Sequence, residues 1–329
     1  MVLKRDVNKV GKGTPTRLRM KNDWPAPKEE RSIRDDLGSQ IESSKQLTSS
    51  KQLYRRLKEL FWSDKYEFWY YQIEKDKDGG LEVSVFSSKW VKSSAQLVGV
   101  LDEYFLGDRR YALELYERMK DSILWDEKNL VWRAFVSVDG LEVNPNYMLS
   151  NVDQLFGIIA EYFLGDKEFA RELLLRYNIF NQIDVDRLTK TVLDHYYESK
   201  IGKVPAVYLH TLATLICFPE YAQVIGERLP MDSEVVVPNR DIRHRFTVEE
   251  FANVLIEAIP GNIDGARKLY SILKAPSPVW PHVYLWDKEH QLWYTTEPSE
   301  MGLGDRFYSY VQLFGALVEG VVMDGLKLM

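Results

Sequence analysis

The sequence predicts an all-α fold: an α/α toroid (barrel) of about five to six helical hairpins, with short Trp-containing β-hairpins at one rim. Three observations predict it. A helical segment recurs along the chain, a pair of tryptophans recurs in front of it, and the final copy is too apolar to cap an open solenoid.

The helical repeat is the strongest of the three. QLVGVLDEYFLGDRRYALEL, from Gln96, lies over QLFGIIAEYFLGDKEFAREL, from Gln154, with twelve of twenty positions identical. QLFGALVEGVVMD, from Gln312, keeps the skeleton Q-L-x-G-x-x-x-E. EFANVLIE, Glu250 to Glu257, and HTLATLIC, His210 to Cys217, are weaker copies. Apolar residues fill each copy at helical spacing, so each is a helix. The Gly-Asp pairs at 107–108 and 165–166 read as a helix stop followed by an N-cap, so each unit is a helical hairpin.

The second repeat places Trp62 and Trp69, Trp125 and Trp132, and Trp286 and Trp293 seven residues apart with turn formers between. This spacing predicts short β-hairpins whose indoles face each other across the strands. The chain order is then helix from about 51, Trp hairpin, loop, inner helix. An open solenoid needs polar caps at both ends, and QLFGALVEGVVMDGLKLM does not supply one, so a closed ring is expected.

Composition bounds the rest. The chain has 329 residues, 45% of them hydrophobic, which is enough for a large buried core. A single cysteine, Cys217, excludes an internal disulfide and a Cys-rich zinc site. No apolar run reaches the length of a membrane span, and MVLKRDVNKV has no signal-peptide core, so a cytoplasmic location is expected. Residues 1–50 hold 11 Lys and Arg against 7 Asp and Glu, and the rest hold 32 against 42. The first segment reads as an extended arm, 51–329 as the toroid. The arm is a candidate surface for a protein partner. The acidic body argues against nucleic acid.

Two polar positions recur. Ser93, Asn151, Thr247 and Ser309 each stand three residues before the first-position Gln or Glu, the spacing of a capping box. Glu103, Glu161, Glu257 and Glu319 occupy the eighth position. They are expected to bond backbone N–H groups between inner and outer helices. The alternative is that they converge on the ring axis and hold a hard cation.

Functional residues are expected where the repeats differ, around the inner-helix N-termini, where positive helix ends converge. These are Lys89, Trp90 and Lys92; Glu142, Asn144, Asn146, Tyr147 and Asp153; Tyr208 and His210; Arg240, Asp241, Arg243, His244 and Arg245; and Glu297, Asp305, Arg306, Tyr308 and Tyr310. Aromatic faces with carboxylates and forked Arg donors suit a sugar or another polyhydroxylated ligand.

LWDEKNLVWR and LWDKEHQLWY resemble the "LWDEE-x-G-x-Y" element of the six-hairpin glycosidase superfamily, the trehalase- and glucosidase-like α/α toroids. APSPVWPHVY, 275–284, and NPNYMLSNVDQLFG, 144–157, are similar to its Pro-Trp-Pro and Asn-Tyr elements. The likeness spans roughly 51–329 and implies a glycoside hydrolase-like enzyme that works without a cofactor. Five hairpins are counted where six is usual, and 184–199 is a candidate for the missing one. Asp153, Asp241 and Asp305 are the candidate acids and bases, with His210 as a further acid or base. Trp90, Tyr147, Tyr208 and Tyr308 are candidate stacking residues, and Arg243 and Arg306 candidate anion grips. A polysaccharide lyase or sugar epimerase, and a non-enzymatic scaffold for protein or glycan, are the alternatives.

Overall fold

The computed structural model describes residues 49–145, 149–180, 207–221, 247–275, 285–294 and 306–328. The N-terminal arm up to residue 48, the segment 184–199 and the Pro-Trp-Pro element at 276–284 lie outside them. The described chain is mostly helical. Its helices are α1 (Ser50–Phe61), α2 (Ser93–Leu106), α3 (Arg109–Lys120), α4 (Asn151–Leu164), α5 (Lys167–Phe180), α6 (Val207–Cys217), α7 (Thr247–Ala258), α8 (Ile263–Lys274) and α9 (Ser309–Val322). Short strands join them: β1 (Trp62–Ser63), β2 (Phe68–Trp69), β3 (Gln72–Lys75), β4 (Leu81–Val83), β5 (Trp90–Lys92), β6 (Trp125–Asp126), β7 (Val131–Trp132), β8 (Phe135–Ser137), β9 (Trp286–Asp287), β10 (Leu292–Trp293) and β11 (Arg306–Tyr308).

The five repeat helices pack side by side in the order α2, α4, α6, α7, α9, and α9 packs back on α2. Each of α1, α3, α5 and α8 lies against two of them: α9 and α2, α2 and α4, α4 and α6, α7 and α9 respectively. Nearly every residue of α2 and α9 is buried, as expected for helices covered on all sides. Phe156 of α4 meets Phe314 of α9 edge to face at 5.1 Å, although these two helices are not neighbours in that order. One face of the repeat therefore points to a shared apolar interior.

Three Trp hairpins form as read. Trp62 pairs with Trp69, Trp125 with Trp132 and Trp286 with Trp293, with ring centroids 5.2, 5.1 and 4.7 Å apart. The residue before the second strand has positive φ in each: Glu67, Leu130 and Gln291. A four-residue turn needs that conformation there, and no glycine supplies it.

The first-position glutamines do not close a capping box. Their amides instead grip the backbone of the second tryptophan. Trp69, Trp132 and Trp293 donate their N–H to Gln96, Gln154 and Gln312, and their carbonyls accept from the same three side chains, at 2.5–2.9 Å. The fourth-position glycine makes room for the indole. A methyl group at Gly99, Gly157 or Gly315 would come within 3.0 Å of Trp69, Trp132 or Trp293. The hydroxyls that were expected as N-caps are spent elsewhere. Ser93 donates to the Arg133 carbonyl, Ser309 to that of Tyr71 and Thr247 to that of Tyr294. Asn151 is exposed, and Ser150 takes the N-cap position of α4.

The eighth-position glutamates face outward rather than toward a common axis. Glu103 accepts from the Asp108 N–H and from Tyr54 and Lys58 of α1. Glu161 accepts from the Asp166 N–H and from Tyr116 and Lys120 of α3. Glu319 accepts from Tyr270 and Lys274 of α8, and Glu257 from Asn262. Glu103 and Glu161 make the backbone N–H bond expected of them, and Glu103, Glu161 and Glu319 each add a Tyr-x3-Lys pair from the outer helix. Asp108 and Asp166 cap α3 and α5 as expected.

Two small sheets were not expected. β3 pairs with β4 and with β11, and β5 pairs with β8. In the β3–β4 turn, Asp76-Lys77-Asp78-Gly79-Gly80, Asp76 accepts from the Asp78 and Gly80 N–H groups and Gly79 stands at φ +82°. This β3–β4–β11 sheet joins the first unit to the last. Beside it, Asp287 accepts from Lys75, Tyr294 and His290, and Arg56 donates to the His290 carbonyl. Burial alone would raise the Asp287 carboxyl, but these donors outweigh it and hold it at about 2.

Two outcomes follow for stability. Gln312→Ala strips both backbone partners from buried Trp293 and should cost about 2–4 kcal/mol in denaturant melts. Asp287 is depressed below its unfolded value, so its contribution is present above about pH 4 and lost toward pH 2. Asp287→Asn should therefore lower stability at pH 7 by about 2 kcal/mol and flatten the acid limb of the pH–stability curve.

Candidate functional site

The N-termini of α2, α4 and α9 meet around one ion pair. Lys92 precedes the first residue of α2, and its side chain offers that helix no cap. Asp153, three residues into α4, supplies the missing acceptor: the Ser94 N–H donates to its Oδ1 at 2.6 Å. Its Oδ2 lies 3.4 Å from Lys92 Nζ. Asp153 thus caps a neighbouring helix rather than its own, which explains why α2 opens on a lysine. The carboxylate is fully buried and Lys92 nearly so.

An aromatic wall surrounds the ammonium. Lys92 Nζ stands 4.5 Å from the ring centre of Phe135, 5.5 Å from Tyr71 and 6.0 Å from Tyr310. Tyr71 in turn packs on Tyr308 at 4.9 Å and lies parallel to Tyr310 at 6.2 Å. Burial, the neighbouring Tyr308 and the Asp153 charge all push the Tyr310 hydroxyl upward, so it stays a neutral donor. Tyr308 is also raised, mainly by burial, with Arg306 working against it. Arg306 is exposed and sits 3.7 Å from Glu74. Trp90 opens β5, opposite Ser137 and two residues before Lys92. Of the residues singled out in the sequence, the structure therefore gathers Lys92, Asp153, Tyr308 and Tyr310, with Trp90 and Arg306 on adjoining strands.

His210 lies elsewhere. It holds the first repeat position on α6, stacks on Tyr177 and bonds Asn178 Oδ1 through Nε2 at 2.6 Å. Tyr208, two residues earlier, is buried and shares the register of Ser94 and Tyr310. Cys217 is buried, and its thiol is pushed up to about 12 by that burial, with Arg171 opposing, so it is a poor nucleophile. Asn146, Tyr147, Arg240, Asp241, Arg243, His244, Arg245, Glu297 and Asp305 lie outside the described residues. Among those described, Asp287, Glu289 and His290 bring three ligand atoms within 4.8 Å. Asp287 already serves Lys75 and Tyr294, and His290 spans Asp287 and the Gly79 carbonyl, so this trio is a structural node.

Sequence reading missed Tyr71 and Phe135. The only signal for them was their place two and three residues beyond the second tryptophan of a hairpin, where the chain enters the next strand.

The ion pair has a measurable worth. Lys92→Met leaves a buried carboxylate unpaired and should cost about 3–5 kcal/mol at neutral pH, with Lys92→Met/Asp153→Asn recovering most of the loss. Among the described residues no helix is long and apolar enough to cross a membrane. No family model, no curated protein and no solved structure matches this chain.

Proposed function

We propose that this chain is an α/α toroid whose inner-helix N-termini form a carbohydrate-binding mouth, and that it acts as a glycoside hydrolase-like enzyme. The closed order of helix neighbours supports the toroid. The observation that carries the function is the cluster of Tyr71, Tyr308 and Tyr310 beside the Lys92–Asp153 pair, at the meeting of three helix ends. Aromatic faces pack on the C–H faces of sugar rings, and charged groups and helix-end N–H groups serve the hydroxyls.

In this reading Asp153 does not do the chemistry. Both of its oxygens are engaged and it is sealed from solvent, so it holds two helix ends of the mouth in register. The acid and base then fall to Asp241 and Asp305. Inverting hydrolysis asks for two carboxyls roughly 6.5–9.5 Å apart, one of them protonated. The commitment of Asp153 also favours a second reading, a toroid scaffold that binds a glycan or protein without turnover.

A thermal-shift screen against neutral and uronic oligosaccharides separates these. Ligand at a hundred times its dissociation constant should stabilise the protein by about 2.7 kcal/mol. Tyr308→Ala should weaken that binding about tenfold, the worth of one stacked ring. Asp241→Asn or Asp305→Asn should keep binding and lower turnover by about 10²–10⁴-fold. A shift confined to uronates points to a lyase or epimerase. No shift with any sugar removes the carbohydrate reading and leaves the protein scaffold.

A further inference from the structure

Asp102 is a fully buried carboxyl to which no described contact gives a reason. Neither oxygen has a hydrogen-bond partner. The same repeat position holds Ala160 in α4, Ile216 in α6, Ile256 in α7 and Val318 in α9, all buried, so helix packing here asks for an apolar side chain. A buried, unpaired polar group is costly and is expected to be rare without a role.

Its place in the fold is specific. Asp102 and Leu106 are one helical turn apart on α2, and a methyl group at Gly320 of α9 would meet Leu106 and Ser50 of α1, each at 3.2 Å. Asp102 therefore lies on the side of α2 that is turned to α9. The α2–α9 junction joins repeat helices from opposite ends of the order, so it can part without straining a connecting loop. Among the described residues, the links across it besides helix packing and the first Trp hairpin include Ser50 to Asp324, Ser309 to the Tyr71 carbonyl, and β3 to β11.

We infer that Asp102 makes the α2–α9 junction a proton-sensitive seam, closed with the carboxyl neutral and loosened when it ionises.

Among the described residues, no cation pairs with the carboxyl to hold it as an anion. From α1, Tyr54 and Lys58 are both committed to Glu103. Within α2 the adjacent charge is Glu103, which repels a second negative charge. The acid of α9, Glu319, is bound to Tyr270 and Lys274, and Asp324 beyond it serves Ser50. On the α4 side, Glu161 has Tyr116 and Lys120, and Asp153 has Lys92. From α3, Tyr111 lies against Trp62 and, with its hydroxyl raised mainly by burial, carries no charge at neutral pH. Burial, then Glu103, raise the Asp102 carboxyl well above its ordinary range. The folded value exceeds the unfolded one, so the closed state is fully stable below about pH 4 and loses stability as pH rises toward the folded value.

Hydrogen exchange on the full chain tests this. Between pH 6 and pH 9, after correction for intrinsic rates, amides of α9 and α1 should exchange at least about tenfold faster, and those of α4 and α5 should not. Asp102→Asn, which cannot ionise, and Asp102→Val, the residue of α9 at this position, should abolish the difference. Uniform exchange across helices in the wild type overturns the inference. So does seam-specific acceleration that persists in either variant that folds.

Discussion

A two-residue strand pair has little stability of its own, yet three such hairpins hold this structure in register. What makes them firm is the clamp between the second tryptophan and the next repeat helix. The Gln amide replaces the ladder partner that the Trp backbone lacks, and the glycine three residues on lets the indole lie against the helix. One step beyond, the exit strand is bonded by a hydroxyl from the preceding repeat helix. Each hairpin is thus fixed to two neighbouring helices at once. The first joins α9 to α2, the second α2 to α4, and the third α7 to α9.

This arrangement explains which residues travel together along the chain. Where a Trp hairpin precedes the helix, the repeat reads Gln, Gly, Glu, and the outer helix carries Tyr-x3-Lys to meet the glutamate. Residues 133–279 contain no tryptophan. In α6, inside that stretch, the three positions are His210, Ala213 and Cys217, and the outer helix has Leu174 and Asn178 in place of Tyr116 and Lys120. In α6 the whole set is lost together, whereas α7, also without a Trp hairpin before it, has Glu250 and Asn253 at the first two positions and keeps Glu257, which accepts from Asn262 instead. A glutamate without such donors would be a buried charge, and a glycine without its indole would leave a void.

Periodicity and identity between copies made the helices, the Gly-Asp breaks and the facing tryptophans legible. The partners of the recurring polar residues were not. Gln96 with Ser93 three residues before it fits a local capping box, and nothing in one dimension says that both reach across to hairpin backbones instead. The glutamine stripe faces the hairpins because the opposite face, with Phe156 and Phe314, is the apolar one. Asp153 was legible as a first-turn carboxylate and so as favourable to α4, while its actual service to α2 depends on the spacing of two helices. Tyr71 and Phe135 escaped because strand exits carry no periodic signature.

The clamp also divides the structure by function. At α9–α2, α2–α4 and α7–α9 the repeat helices are joined by backbone hydrogen bonds through a hairpin, and the Lys92 site lies at the first two of these junctions. Such a site keeps its geometry because strands on both sides are pinned, which is what stacking on a flat ring requires. The junctions of α6 with α4 and α7 show no such hairpin among the described residues, and they rest on side-chain packing such as Leu209, Leu212 and Leu255. Apolar contacts without directional bonds tolerate small shifts that a clamp would forbid. Rigidity is therefore placed at the N-terminal ends of α2 and α9, where Lys92 and the tyrosines converge, and any yielding falls to α6 or to the far half of the α2–α9 junction, where Asp102 lies beyond the clamp.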